Sequence, residues 1–232
     1  EIGIEIVTEA ELIAIEKTAN GIDVSARRKG EGRQWSADLV VHGAGRIPAI
    51  DNLDLDAAGV EHDGKGVSVS EYLQSVSNEN VYAAGDAAAT PGARLTPVAI
   101  FEGKVAASNM LKANNATPDY RGVPSAVFTI PELVRVGMLE SEAKEAGRDV
   151  RVAFTDTSKW YSNFRIGETC AAAKVLIDQE TDEIIGAHMI GPEYGELINY
   201  FGLAMRLGLK TRDLKQMVSA YPSVSSDLGS ML

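Results

Sequence analysis

The side chains best placed for chemistry follow a short apolar segment that ends in Gly85 and Asp86. A carboxylate at the end of a buried strand can accept hydrogen bonds from the hydroxyl groups of a polyol. After a loop of small residues, Thr96, Pro97 and Val98 indicate the start of a helix. Thr96 is predicted to cap this helix, and Pro97 is predicted to occupy its first position, where the missing N–H is harmless.

These two features together suit one kind of ligand. The N-terminus of a helix offers N–H groups without intrahelical partners and a partial positive charge. A reduced flavin needs an acceptor for its ribityl hydroxyls and a positive end facing its electron-rich pyrimidine ring. Gly85 and Asp86 alone, however, favour an ordinary turn between a strand and a capped helix. The order of the other segments along the chain decides between these two interpretations.

Composition limits the compartment and the partners. The 232 residues suffice for one large domain or two smaller ones, and a net charge of -11 disfavours nucleic acid or an anionic membrane as the main partner. The sequence predicts no membrane span and no signal peptide. Cys170 is the only cysteine, and His42, His62 and His188 are scattered, so neither an intrachain disulfide nor a metal site is expected. A reducing cytoplasm is the simplest compartment.

Residues 1–50 are predicted to be rich in β-structure. Strands are expected at 2–7, 11–18, 21–28 and 39–44. Asn20 and Gly21 indicate a hairpin turn, and residues 30–32 indicate another turn. The apolar segment at 39–41 is followed by the small residues Gly43, Ala44 and Gly45. Small residues at such a position let the backbone approach a ligand. A glycine-rich strand exit without a ligand is equally consistent with this pattern.

The rest of the chain is predicted to form two further blocks, 51–117 and 118–232. In the first, short strands are expected at 67–69 and 81–84, and a long helix is expected at 97–113 with Val98, Phe101, Val105 and Leu111 on or near one face. The polar run at 114–118 predicts a domain boundary. The last block is predicted to be α+β, with strands at 125–129, 134–138, 150–155, 171–177 and 183–190 and helices at 139–146, 193–207 and 211–218.

Several motifs, taken in order, resemble one family of flavoproteins. Gly-x-Gly-Arg-x-Pro at 43–48 precedes Gly-Asp at 85–86 and Leu-Thr-Pro-Val-Ala at 95–99. Phe-Thr-x-Pro-Glu at 128–132, Val-Gly-x-x-Glu at 136–140 and Ile-Ile-Gly-Ala-His-x-x-Gly at 184–191 continue the series. This order resembles the class I pyridine nucleotide-disulfide oxidoreductases, which include glutathione reductase, dihydrolipoamide dehydrogenase and mercuric reductase. The resemblance runs over essentially the whole chain.

The resemblance implies an α/β and α+β fold, in which partial FAD- and NAD(P)-binding domain portions precede an α+β dimerisation domain with an antiparallel sheet. Residues 1–50 would be the last strands of the NAD(P)-binding domain, 51–117 the returning FAD-binding segment, and 118–232 the dimerisation domain of a homodimer. Only the second half of such proteins is matched: both Gly-x-Gly-x-x-Gly turns and the redox cysteine pair are missing. Because the chain also begins with Glu1 within an apolar segment, a processed chain or a fragment is expected.

The resemblance assigns the FAD-binding residues. Asp86, directly after Gly85, would hold the ribityl chain of FAD. The backbone at Thr96, together with Pro97 and Val98 in the same helix start, would face the pyrimidine ring of the flavin.

The resemblance also assigns a nucleotide site near the end of the first block. Gly45 would lie against the nicotinamide nucleotide of NAD(P)H, with Arg46 nearby. The residues that set the preference for NADH or NADPH would lie in the segment that the chain does not match.

The C-terminus departs from the family pattern. Disulfide reductases of this family end in His-Pro-Thr-x-x-Glu, in which the histidine titrates near neutral pH and the carboxylate orients it for proton transfer. Here Tyr221 replaces the histidine and Ser226 replaces the glutamate. An unperturbed tyrosine, with a pKa near ~10, is a poor base but can donate a hydrogen bond or orient a substrate. A packed interface tyrosine is the alternative. Mercuric reductases also lack the histidine, but the C-terminal cysteine pair they carry is absent here.

Three functional hypotheses follow. The first is an oxidoreductase that uses FAD and NAD(P)H and passes electrons to an acceptor, with the chain as its C-terminal half. The second is a dimerisation module without activity of its own. The third is a complementing subunit that needs a separate N-terminal half. The chain in isolation is expected to be inactive, because both pyrophosphate-binding turns are missing.

Overall fold

The chain opens with a three-stranded antiparallel sheet. A computed structural model describes residues 3–232, and the chain divides into two units, Glu1–Arg46 and Ile47–Leu232. In the first unit, β1 (Ala10–Thr18), β2 (Gly21–Arg28) and β3 (Glu31–Ala37) pair in sequence order. The hairpin predicted at Asn20 and Gly21 is confirmed, since Thr18 pairs with Gly21. Gly21 has φ +140°, and a Cβ added there would lie 2.9 Å from the Ala37 carbonyl oxygen.

Two predicted strands of this unit are wrong where the structure describes them. Residues 39–44 and 3–7 form no strand, and Ile2 lies outside the described residues. Apolar composition alone does not make a strand, because a strand needs hydrogen bonds to a neighbour; Leu39 and Val41 remain 74% and 81% exposed. Strand β3 is missing from the sequence prediction, which placed a turn over Glu31. The turn falls one position earlier, at Lys29 and Gly30.

The second unit begins with short elements that lead to one long helix. These elements are a 3-10 turn at Asp51–Leu53, β4 (His62–Asp63), β5 (Gly66–Val67), a 3-10 turn at Gly85–Ala87 and α1 (Thr96–Lys112). Of the strand predicted at 67–69, only Val67 belongs to a strand, which is β5. The strand predicted at 81–84 is wrong. Only Tyr82 of that segment forms a bridge, to Gln74. The segment instead hydrogen-bonds to a bend, with the N–H of Ala83 donating to the Leu73 carbonyl at 3.0 Å.

The long helix predicted at 97–113 is confirmed, but its buried face differs from the predicted one. The residues buried on α1 are Val98, Glu102, Val105, Ala106 and Asn109. Leu111 is 84% exposed. Apolar periodicity did not reveal that two polar residues, Glu102 and Asn109, belong to the buried face, where each is fully hydrogen-bonded.

Asn109 fixes the C-terminal end of α1. Its side-chain nitrogen donates to the carbonyls of Tyr72 at 2.7 Å and Ala116 at 2.8 Å. Its side-chain oxygen accepts the N–H groups of Asn115 and Ala116, each at 2.9 Å. Because the side chain is fully buried, these bonds replace hydration that folding removes, and they attach the helix to the segments on both sides of it.

The last part of the chain forms a five-stranded antiparallel sheet. Its strands are β6 (Ser125–Val127), β7 (Glu132–Gly137), β8 (Val150–Asp156), β9 (Ala172–Asp178) and β10 (Ile184–Gly191), in the order β6-β7-β10-β9-β8. The helices are α2 (Glu140–Glu145), α3 (Tyr161–Phe164), α4 (Tyr194–Leu207) and α5 (Thr211–Leu214), followed by a 3-10 helix at Val224–Met231. The predicted β9–β10 hairpin is confirmed. Helix α5 ends before residue 218, because Val218 is 97% exposed and gains nothing from helical packing.

Helix α4 supplies the main core of this region. Leu197, Phe201 and Ala204 are fully buried, and they pack in one cluster with Val175 and Ala187 of the sheet. The spacing of three and four residues brings these side chains to one face of the helix. Within residues 3–232, no helix is both long enough and apolar enough to span a membrane.

We expect Asn109→Ala to lower the free energy of unfolding by at least about 2 kcal/mol. The substitution leaves buried N–H and carbonyl groups of Tyr72, Asn115 and Ala116 without their hydrogen-bond partner. The measurement is urea unfolding followed by circular dichroism at the helix band. Lys104→Ala, at an exposed position of the same helix, is the control and should change stability by no more than about 0.5 kcal/mol. Equal effects of the two substitutions would contradict this role of Asn109.

Candidate functional site

The turn that carries Asp86 is pressed against the first turns of α1. Gly85 has φ +65°, a backbone conformation that favours glycine, and a Cβ added there would lie 2.8 Å from the Cβ of Ala99. The N–H of Ala88 donates to the Gly85 carbonyl at 3.0 Å and closes the turn. Asp86 is half-buried. The sequence fits this close approach because small residues occupy both sides of the contact.

A buried carboxylate holds this turn in place. Glu102 lies on α1 and is 1% exposed. Its Oε2 accepts the N–H of Gly85 at 2.6 Å, and its Oε1 accepts the hydroxyls of Thr90 at 2.8 Å and Tyr120 at 2.7 Å. Hydrogen bonds to a carboxylate are stronger than bonds between neutral groups, so this cluster joins the turn, the following loop and α1 firmly.

Tyr120 extends the cluster to the segment that leads into the five-stranded sheet. Burial of the phenol raises the pKa of Tyr120 to about 12, and the hydrogen bond to Glu102 acts in the same direction. The phenol is therefore a stable donor at neutral pH. The three donors come from the turn, from the loop that follows it and from the segment that leads into the five-stranded sheet, so Glu102 joins all three.

The N-terminus of α1 differs from the prediction in its cap. The helix begins at Thr96, Leu95 is the N-cap residue, and no side-chain cap bond forms. The reason is that the N–H of Ala99 donates to the Leu95 carbonyl at 3.0 Å, which places Thr96 inside the first turn and Pro97 at its second position. Because Pro97 has no N–H, the first turn presents the N–H groups of Thr96 and Val98 without intrahelical partners. The first turn itself contains no acidic residue.

A small cavity of about 130 Å³ lies between the Asp86 turn and α1. Gly85, Val98 and Glu102 line it together with Lys65 and Arg94. The wall thus carries the cations of Lys65 and Arg94 and the carboxylate of Glu102, while Asp86 and Thr96 are not among the residues that line it. The structure thus brings Gly85, Asp86 and the start of α1 together, as the sequence predicted. The Asp86 carboxylate offers hydrogen-bond acceptors and the start of α1 offers N–H donors, which are the two kinds of group that a polyol attached to an electron-rich ring requires.

Two predicted nucleotide-binding residues lie elsewhere in the chain. Gly45 and Arg46 are exposed at the end of the first unit. Gly45 has φ +98°, and a Cβ added there would meet no atom within 4 Å. Its backbone surface is therefore open to a ligand.

Tyr221 stands apart from the Asp86 turn and pairs with another tyrosine. Its ring stacks on Tyr161, with centroids 6.2 Å apart and planes at 22°. Tyr221 is 74% exposed. The residues that follow it bond elsewhere: Ser226 donates to the Ser223 carbonyl at 2.6 Å, and Asp227 accepts a hydrogen bond from Ser162. These two residues therefore give Tyr221 no hydrogen-bonded carboxylate partner of the kind the family histidine has.

The residues that sequence reasoning missed are Glu102, Thr90 and Tyr120. The sequence contains one indication that Glu102 is buried. Glu102 stands four residues after Val98 and three before Val105, so it shares their helix face. A glutamate at a core position calls for several hydrogen-bond donors, although the sequence does not say which residues supply them.

Gly85→Ala tests the close approach of the turn to α1. We expect this substitution to lower the free energy of unfolding by about 1–3 kcal/mol, because it combines a left-handed φ with a contact to Ala99. Gly103→Ala is the matched control on α1, where an added Cβ meets nothing within 4 Å, and it should leave stability unchanged or raise it by up to about 1 kcal/mol. Urea unfolding measures both variants. A Gly85→Ala protein as stable as Gly103→Ala would show that the turn does not pack as described.

Comparisons with known proteins identify the family. The pyridine nucleotide-disulphide oxidoreductase family matches residues 1–103, and the dimerisation domain of the same family matches residues 123–232. A protein of Staphylococcus aureus described as an uncharacterized 19.7 kDa protein in a mercuric resistance operon is 52% identical over 180 residues, which are 78% of this chain and 100% of that protein. The dihydrolipoyl dehydrogenase of Staphylococcus aureus is 34% identical and matches 97% of this chain and 47% of its own length.

A solved structure agrees with these matches. The Cu(II) complex of a cysteine-to-serine mutant of the HOCl-induced flavoprotein disulfide reductase RclA from Escherichia coli superposes with a TM-score of 0.86 at 26% identity, over 99% of this chain and 51% of that one. The chain thus spans about half the length of this reductase and of the dihydrolipoyl dehydrogenase. The predicted resemblance and the predicted fold class are confirmed, and the chain belongs to the pyridine nucleotide-disulphide oxidoreductase family.

Proposed function

We propose that this chain supplies the ribityl- and pyrimidine-facing side of an FAD site, and the dimerisation domain, of a flavin-dependent NAD(P)H oxidoreductase. The observation that carries the proposal is the Asp86 turn, which Glu102 holds against the N-terminus of α1. An acceptor and a positive helix end adjoin each other there, and family membership supports FAD as the ligand that uses both.

Each residue of the turn and the helix start has a distinct task in this proposal. Asp86 accepts hydrogen bonds from ribityl hydroxyls and fixes the chain that carries the ring. The N–H groups of Thr96 and Val98 face the pyrimidine ring and stabilise the negative charge that reduction places on it. Pro97 holds the first turn rigid. Bound FAD would supply hydride and electron transfer between nicotinamide and an acceptor.

Gly45 and Arg46 form the proposed contact with the nicotinamide nucleotide. Gly45 offers an open backbone surface, because no side chain or neighbouring atom covers the position of a Cβ. Arg46 follows it directly and carries a positive charge suited to an anionic dinucleotide. Both residues bind and orient the nucleotide and take no part in proton transfer.

Tyr221 is proposed to orient the electron acceptor by donating a hydrogen bond. Stacking on Tyr161 fixes the ring while leaving its outer face exposed. Neither Ser226 nor Asp227 hydrogen-bonds to it, so the proton shuttle of the family's His–Glu pair is not proposed here. Disulfide exchange of the glutathione or lipoamide type is therefore not the proposed reaction.

The remaining parts of a complete site lie outside these 232 residues. The sequence contains neither a Gly-x-Gly-x-x-Gly turn for the FAD pyrophosphate nor a redox cysteine pair. We therefore propose that turnover requires a polypeptide that supplies them, and that the 232 residues alone do not turn over. Cytoplasmic localisation is part of the same proposal, because reduced nicotinamide nucleotides are available there.

A homodimer through residues 118–232 is the second part of the proposal. Tyr200, Leu203 and Leu207 form an exposed apolar stripe on α4, at a spacing of three and four residues. Leu203 and Leu207 are 54% and 63% exposed. Apolar stripes of this kind mark interaction surfaces, and the match to a dimerisation domain supports a second copy of the chain as the partner. A dimerisation module without FAD binding is the alternative function that this surface supports.

Asp86→Ala tests the proposed FAD site. When a polypeptide that supplies the pyrophosphate-binding turns is present, we expect Asp86→Ala to bind FAD at least about tenfold more weakly than the wild type, because hydrogen bonds to a charged acceptor contribute about 1.5–3 kcal/mol. Isothermal titration calorimetry with FAD gives both affinities. Glu79→Ala, at an exposed acidic position in the same unit, is the control and should bind like the wild type. Equal FAD affinities for the wild type and Asp86→Ala in the presence of that polypeptide would contradict the proposed site.

Leu203→Glu tests the proposed dimer. We expect light scattering to give twice the chain mass for the wild type and the mass of one chain for the variant, because a charge in an apolar interface is strongly unfavourable. Lys104→Glu introduces the same side chain at an exposed position of α1 and should leave the dimer intact. A wild type that remains monomeric at high protein concentration argues against this interface.

A further inference from the structure

We propose that Glu102 is the positioning residue for Asp86, and that Tyr120 links this position to the segment leading into the five-stranded sheet. The inference rests on the proposed FAD site, whose turn it explains. Glu102 acts on the proposed ligand through the turn that carries Asp86. The role is to fix where Asp86 stands relative to the N-terminus of α1.

The first support is the chemistry of the carboxylate. Glu102 is 1% exposed, and its hydrogen-bond donors are one N–H and two hydroxyls, all of them neutral. Among the described residues it forms no ion pair with a lysine or arginine. A carboxylate buried in this way is costly unless donors satisfy both oxygens. An apolar side chain would fill the same space, so we infer that the three directed hydrogen bonds are the feature that matters.

The second support is the position of the donor on the turn. The N–H of Gly85 reaches Oε2 at 2.6 Å, and Asp86 is the next residue along the chain. Any shift of this bond moves the Asp86 backbone as well. Because Ala99 blocks movement of Gly85 towards the helix, the turn is held from two sides. These two contacts restrict the distance between Asp86 and the start of α1.

The third support is the packing of the loop around Oε1. A Cβ added at Gly92 would lie 2.7 Å from Oε1 of Glu102 and 2.6 Å from a ring carbon of Tyr120. The N–H of Gly92 donates to the Thr90 hydroxyl, which in turn donates to Glu102. The loop after the turn is therefore shaped around the carboxylate and the phenol.

The fourth support is the attachment of Tyr120 to α4. Arg206 of α4 donates to the carbonyl of Arg121 at 3.0 Å and to that of Asp119 at 3.3 Å. Its guanidinium also lies 5.7 Å from the ring centroid of Phe101, the neighbour of Glu102 on α1. The segment that carries Tyr120 is therefore fixed to α4 on both sides of the phenol. A displacement of α4 would reach Glu102 through this segment.

Hydrogen exchange of single amides, measured by NMR on the full 232-residue chain, tests the inference without relying on FAD. Glu102→Gln keeps the side-chain shape but removes the charge and one of the two acceptor oxygens. We expect protection of the Gly85 amide to fall about tenfold, while the Val175 and Leu176 amides in the five-stranded sheet stay within about twofold. Tyr120→Phe should lower Gly85 protection by about threefold, because it removes one donor from the same carboxylate.

FAD affinity, measured by calorimetry on the same variants in the presence of a polypeptide that supplies the pyrophosphate-binding turns, connects the turn to the ligand. Glu102→Gln should weaken FAD binding at least about fivefold although Asp86 is retained, and the Glu79→Ala control should bind like the wild type. Unchanged Gly85 protection in Glu102→Gln would overturn the inference whatever the FAD result. Equal loss of protection at Gly85, Val175 and Leu176 would also overturn it, since it would mean general destabilisation. If Glu102→Gln frees the Gly85 amide alone but Asp86→Ala leaves FAD affinity unchanged, the proposed FAD site fails while Glu102 keeps its positioning role. Unchanged protection in Tyr120→Phe would overturn the link through Tyr120.

Discussion

The buried carboxylate of Glu102 is the interaction on which the rest of the candidate site depends. It accepts hydrogen bonds from Gly85, Thr90 and Tyr120 in the protein interior, where such bonds are strong and an unmet acceptor is costly. Without these bonds, the turn that carries Asp86 would keep the packing of Gly85 on Ala99 but would lose the hydrogen bond that joins it to α1. The carboxylate therefore converts a small-residue turn into a fixed arrangement of an acceptor and a helix N-terminus.

Helix α1 is held near both ends by polar groups and in the middle by apolar packing. Glu102 fixes its first half, and Asn109 fixes its last turns to the segments before and after it. Val105 and Ala106 pack between these two positions against Leu73. A helix fixed in this way presents its N-terminus in one orientation, which electrostatic stabilisation of a ligand requires. Helix α4 is attached to this arrangement, because Arg206 hydrogen-bonds to the segment that carries Tyr120.

The sequence predicted those elements whose hydrogen bonds are local. The hairpins at Gly21 and between β9 and β10, and the long helix α1, were correct because turn residues and helical periodicity act over a few residues. Residues 39–44 and 81–84 were wrong because apolar composition does not provide a partner strand. In the site, Gly85 and Asp86 were correctly brought together with the start of α1. The cap at Thr96 was wrong because a backbone bond from Ala99 to Leu95 sets the first turn. Glu102 was missed because its donors lie up to 18 positions away in sequence.

The central claim is that FAD binds between the Asp86 turn and the N-terminus of α1. It is tested by titrating the 15N-labelled chain with FAD, in the presence of a polypeptide that supplies the pyrophosphate-binding turns, and following the amide chemical shifts. We expect the largest shifts at Asp86, Thr96 and Val98, and we expect Asp86→Ala to abolish them. No shifts at these amides, or largest shifts around Tyr161 and Tyr221, would show that FAD does not bind there.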